Sequence, residues 1–223
     1  MSLKNTIRSR QNKSKRFAWK GVEVIIKDEM INPDVSVKSV LMKISPKIPK
    51  KFLRNVDVIY VGEFDFFKER DIQAMYENSC IFVTNDQDSD EDMCDDIVHE
   101  IAHSLEDMYR DMIYSDGELE KEFLQKRKQL HSILKGEGYE TDLFSFMEPA
   151  YKRDFDEYLY KVVGYPALNM LSTSIFYSPY AATSLREYFA NGFEALVYHR
   201  DYDFINKSCP NLFKKLNNLM EME

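Results

Sequence analysis

Glycine and proline are scarce in this chain, seven of each among 223 residues. That argues against long flexible linkers. No apolar run approaches the roughly 20 residues that a membrane-spanning helix needs. The opening residues, MSLKNTIRSRQNKSKRFAWKG, contain no apolar core of the kind a secretory signal carries, so the expectation is a cytoplasmic protein without membrane attachment. Cysteine is limited to Cys80, Cys94 and Cys209, an odd and scattered set. Such a set excludes a disulfide framework and fits reduced, buried thiols. Histidine is also rare, at four residues.

What is present is enough for a sizeable core. Hydrophobic residues make up 44% of the chain, with 15 Phe and 14 Tyr among them. Charge is uneven. Residues 1–22 carry seven Lys or Arg and no acid, whereas the remainder holds 23 basic against 38 acidic residues, a net of −15. Residues 1–21 therefore read as a basic N-terminal arm. It is either a solvated, flexible terminus or a handle for nucleic acid or an acidic partner.

The stretches GVEVIIKD (21–28) and VDVIYVG (56–62) read as strands, and NPDVSVKSVLMKI (32–44) as a helix capped by Asn32 with Pro33 at its first position. DIQAMYENSCIFVTND (71–86) reads as strand, turn and strand. Strands come early and helices late, which predicts an α+β fold. The expected organisation is a single domain over 22–223, with an α/β lobe to residue 115 and a mainly helical lobe from 116.

Acidic residues crowd DQDSDEDMCDD (86–96). A calcium loop would want glycine at its sixth position and glutamate at its twelfth, where Glu91 and Ile97 stand. The segment instead suits a helix N-terminus, with Ser89 and Asp92 at capping-box spacing. The helix that follows carries DDIVHEIAHSLED (95–107). Positions i and i+4 lie on one helical face, so His99 and His103 can both offer a ring nitrogen to one ion. Glu100, one position on, would sit beside such an ion as a general base. Met93, Ile97, Ile101, Leu105, Met108 and Met112 form a separate apolar stripe.

A catalytic zinc takes three protein ligands. In YAATSLREYFANGFEAL (180–196), Leu185, Phe189, Phe193 and Leu196 mark an apolar side, and Glu187, Asn191 and Glu194 a polar one. Spacing alone leaves Glu187 either a third ligand or, with Ser184, the capping box of its own helix.

The pieces HEIAH (99–103) and YAATSLREYFANGF (180–193) resemble the lethal-factor-like zinc metalloproteases, the group containing the anthrax lethal factor catalytic domain and the Pro-Pro endopeptidases. The family pattern sets a tyrosine seven residues before a glutamate that is followed by two aromatics and alanine. Tyr180, Glu187, Tyr188, Phe189 and Ala190 keep it.

The resemblance implies a zincin-like fold of gluzincin type and one Zn2+ per chain, held by His99, His103 and Glu187. Glu100 would act as general base, Tyr180 would stabilise the oxyanion, and Asn191 would support a ligand from the second shell. It also implies a substrate-binding edge strand, placed at Ile81, Phe82, Val83 and Thr84. The interval from His103 to Glu187 is longer than in those relatives, so residues near 116–170 read as an inserted helical segment. Asn191 stands where the relatives carry a second glutamate.

The expected function is zinc-dependent hydrolysis of peptide bonds in a protein or peptide substrate. The alternative is a non-catalytic zincin-fold assembly or binding protein that docks on nucleic acid or an acidic partner through residues 1–20.

Overall fold

The computed structural model describes residues 15–70 and 72–222. The chain divides into two compact units between Met108 and Tyr109. Among the described residues no helix is long and apolar enough to cross a membrane. The fold is α+β.

The first unit is built on a mixed sheet of five strands. β1 (Lys15–Trp19), β2 (Val22–Ile26), β3 (Val58–Gly62), β4 (Ala74–Glu77) and β5 (Cys80–Thr84) lie in the order β1-β2-β3-β5-β4. β2, β3 and β5 run parallel, and the outer strands β1 and β4 pair antiparallel. Val22, Val24, Ile59, Val61, Ile81 and Val83 are buried. So are Val37, Val40, Leu41 and Ile44 of α1 (Val37–Ile44), which presents one apolar stripe.

Three expectations change here. The basic arm does not extend to residue 21, because Lys15–Trp19 pairs with β2 as an edge strand; residues 1–14 lie outside the described residues. α1 begins at Val37 rather than Pro33. Ser36 caps it, and Asn32 instead accepts the Asp34 N–H in a local turn. β5 is not an edge. It lies between β3 and β4, and the edge is β4. A two-residue turn at Asn78 and Ser79, both at positive φ, folds β4 onto the outer side of β5.

α2 (Asp65–Arg70) follows β3, and α3 (Asp90–Tyr114) follows β5. The acidic start of α3 serves as a cap. The Ser89 hydroxyl accepts the Asp92 N–H, while Asp90 accepts from Ser36 N and Ser39 Oγ and pairs with Lys43 at 3.3 Å. Met93, Ile97, Ile101 and Leu105 are buried as expected, but Met108 is exposed. The helix breaks from regular geometry at Tyr109 (φ −117°, ψ 24°), which rotates the stripe so that Ile113 is buried next.

The second unit is helical. α4 (Glu118–Gly136) runs through it, followed by α5 (Leu143–Phe146), α6 (Arg153–Glu157), α7 (Tyr165–Ser172), α8 (Leu185–Phe193), α9 (Tyr202–Ser208) and α10 (Pro210–Glu221). π-helical turns occupy Tyr158–Val163 and Glu194–His199. Buried polar groups of α4 fix its neighbours. Glu122 accepts from Tyr188 Oη at 2.8 Å and from the Asn211 and Leu212 amides at 2.7 and 3.2 Å, which caps α10 from outside. Arg127 donates to the carbonyls of Ser145 and Glu148 and stacks 3.8 Å from the Phe155 ring centre. Gly192 of α8 admits Leu212, because a Cβ there would meet Leu212 Cδ2 at 2.2 Å.

Candidate functional site

Each unit carries side chains of metal-ligating type, His99 and His103 in the first and Glu187 in the second.

On α3, the rings of His99 and His103 stand 4.9 Å apart, centre to centre, at 79° to each other. His99 is half-buried and His103 buried. His103 Nδ1 lies 3.0 Å from Oε2 of Glu106, itself only 3% exposed. An ionised carboxylate at that distance accepts an Nδ1–H, and a neutral ring so held would offer Nε2 as its lone-pair nitrogen. This is the donor arrangement a metal-binding imidazole needs, so the pair fits a zinc ion on its own chemistry. Sequence reasoning missed Glu106. Its only signal was its position three residues after His103, on the same face.

Glu100 is buried, and its Oε2 accepts the backbone N–H of Tyr76 at 2.6 Å. Tyr76 belongs to β4, so the carboxylate is pinned to the outward side of the sheet's edge strand. A second link reinforces the first. The Asn55 amide donates to Tyr76 Oη at 2.7 Å and to the Ser104 carbonyl of α3 at 3.3 Å. Glu100 is thereby fixed on the histidine helix and beside an edge where an extended chain could pair. The strand assigned that role from sequence, Ile81, Phe82, Val83 and Thr84, is interior, with Ile81 and Val83 fully buried.

In the second unit, Glu187 lies in the first turn of α8. Ser184 caps that helix, its Oγ accepting the Glu187 N–H at 3.2 Å. The capping bond thus uses the backbone of Glu187 and not its carboxylate. Tyr180 sits on a 3₁₀ turn (Tyr180–Ala182) just before α8. Ser178 organises that turn. Its hydroxyl donates to Asn191 Oδ1 and accepts the Ala181 N–H. Asn191, expected beside a ligand imidazole, uses its carbonyl oxygen to hold the turn that carries Tyr180.

Burial, then the charges of Glu187 and Asp156, raise the Tyr180 phenol well above its ordinary range. Tyr180 is therefore a hydroxyl donor at neutral pH. Two further groups share this neighbourhood. Tyr151 donates to Asp156 Oδ2 at 2.9 Å and is pushed up to about 12 by burial and by that carboxylate. Burial and the Glu187 charge raise Asp156, although the Tyr151 bond opposes the shift. Both residues belong to the stretch read as an insertion. The Pro149 carbonyl accepts the Leu185 N–H at 2.8 Å and ties that stretch to the start of α8. Nothing in their spacing signalled this.

The chain matches no family model, no curated protein and no solved structure.

Proposed function

We propose that the protein is a zinc-dependent endopeptidase of zincin type, akin to the lethal-factor-like metalloproteases. In this reading His99, His103 and Glu187 hold the zinc. The carrying observation is the His103–Glu106 pair, a buried imidazole oriented by a buried carboxylate at 3.0 Å with a second imidazole one helical turn away. A surface pair of histidines has no use for a buried carboxylate, whereas a ligand imidazole does.

Zinc bound there would supply a Lewis acid and lower the pKa of a coordinated water. The chain's own residues do the rest. Glu100, with one oxygen anchored by the Tyr76 amide, accepts the proton of the attacking water and passes it to the leaving amine. Tyr180 keeps its proton and donates to the oxygen of the tetrahedral intermediate. Apart from the Tyr76 amide that Glu100 holds, β4 offers its outward edge to an extended substrate.

The test joins metal content to cleavage. The purified protein should carry about one zinc per chain, and His99→Ala should lose it. Glu100→Gln should keep the zinc yet lower peptide-library cleavage by about 10²-fold or more. Chelator-insensitive cleavage, or a Glu100→Gln variant as active as the parent, rules the mechanism out.

A further inference from the structure

The proposed chemistry makes no use of a cavity of about 520 Å³ in the first unit, walled by the β1–β2 turn and the 3₁₀ turn at Lys50–Leu53. Lys20, Lys50, Lys51 and Arg54 line it against a single carboxylate, Asp57. The backbone sets its shape. Lys20 and Gly21 turn at φ of 51° and 98°. Gly21 lies against Lys50, whose Cε would be in ordinary contact at 3.5 Å with a Cβ built there, so it is the positive φ that calls for glycine. The Lys20 ammonium donates to the carbonyls of Ser45 and Ile48, at 2.5 and 2.7 Å. Those bonds hold its charge in place without neutralising it.

The cavity belongs to a strongly polarised stretch of chain. Residues 43–54, KISPKIPKKFLR, carry five basic residues and no acid. Over residues 1–57 there are 14 Lys and Arg against 5 Asp and Glu, a net of +9, while residues 58–223 hold 16 against 33, a net of −17. A concave wall with four cationic side chains against one carboxylate focuses a positive field on an incoming anion. The concavity separates the candidate polyanions. A bilayer presents its phosphates as a plane that touches only the rim, whereas the backbone ridge of a nucleic acid is convex and can project into the hollow. No aromatic residue lines the cavity for base stacking, so contact would be with phosphates, which carry no sequence information.

We propose that this cavity docks the phosphodiester backbone of nucleic acid without regard to sequence. The proposal does not rest on the peptidase reading, and its test reads binding alone. Anisotropy of a fluorescein-labelled DNA duplex is titrated with the full chain across a series of salt concentrations. Lys50 and Arg54 are exposed, so a Lys50→Ala/Arg54→Ala variant should fold as the parent does. It should bind roughly tenfold or more weakly, and its log K against log salt should flatten by about two, since each phosphate contact contributes roughly 0.9. A charge-preserving Lys50→Arg/Arg54→Lys variant should bind like the parent. The proposal is overturned if the alanine variant keeps the parental affinity and slope, or if the parent binds no duplex. It is equally overturned if these two residues govern binding to phosphatidylserine vesicles and not to DNA.

Discussion

Replacing Glu106 by glutamine probes the metal reading at a residue that would touch no metal. Oε2 of Glu106 lies 3.0 Å from His103 Nδ1, and both side chains are buried. Glutamine matches the size of glutamate, and its amide oxygen can accept the same Nδ1–H. The ring should therefore keep its orientation while losing the negative charge that makes it a stronger donor. Changes of this kind typically lower metal affinity by about 10–100-fold, or roughly 1.4–2.7 kcal/mol. Glu106→Ala should go further, because it leaves a buried N–H unpaired at a cost of about 1–3 kcal/mol of stability. Competition against a fluorescent zinc chelator measures the affinity, and urea unfolding of the apo-protein measures the stability. A glutamine variant that binds zinc as tightly as the parent, in a chain whose zinc is lost on His103→Ala, would refute the link between this pair and the metal. A parent that binds no zinc at all would remove the site.

Other outcomes follow from the packing. Gly192→Ala would place a Cβ 2.2 Å from Leu212 Cδ2 and should destabilise the helical unit by about 1–3 kcal/mol. Leu212→Ala in the same chain should relieve part of that loss in urea unfolding, and additive losses would contradict the clash. Arg127→Met should lower stability by roughly 2–4 kcal/mol, because the carbonyls of Ser145 and Glu148 lose their donors; a loss below about 1 kcal/mol would show that water replaces them. Burial alone would raise Asp90, but the Ser36 amide, the Ser39 hydroxyl and Lys43 outweigh it and hold the carboxyl below its ordinary value of 3.8. A depressed folded-state pKa gives stability that is complete above the unfolded value and fades as pH falls through the folded one. The stability gap between parent and Asp90→Asn should therefore be full at pH 7 and close below pH 3.8. A gap that persists undiminished in acid would count against that account.

Runs of β-branched residues made β2, β3 and β5 readable in the chain, because strands buried on a face leave a pattern. β1 left none. KRFAW is largely exposed at an edge, so its lysine and arginine looked like a solvated arm. The order of β4 and β5 was equally invisible, since a hairpin's two arms read alike and only the partnership with β3 decides which lies inside. On α3 the apolar stripe showed through until the irregular turn at Tyr109, which no proline or glycine announced. The histidine spacing and the Ser184 cap are short-range features and could be read directly. Glu106 was hidden among many acids. Tyr151 and Asp156 reach Tyr180 only through the path of the intervening helices, which no local pattern records.

The Glu100–Tyr76 bond bears on how a Glu100 variant would behave in the test tube. An unpaired outward amide on a rim strand is an invitation to another copy of the chain, and short strands blunt that invitation only in part. Here the carboxylate keeps the Tyr76 donor occupied. Truncation to alanine would open that donor and make the variant more prone to stick to itself at high concentration. The glutamine form, which still offers an acceptor oxygen, should stay dispersed.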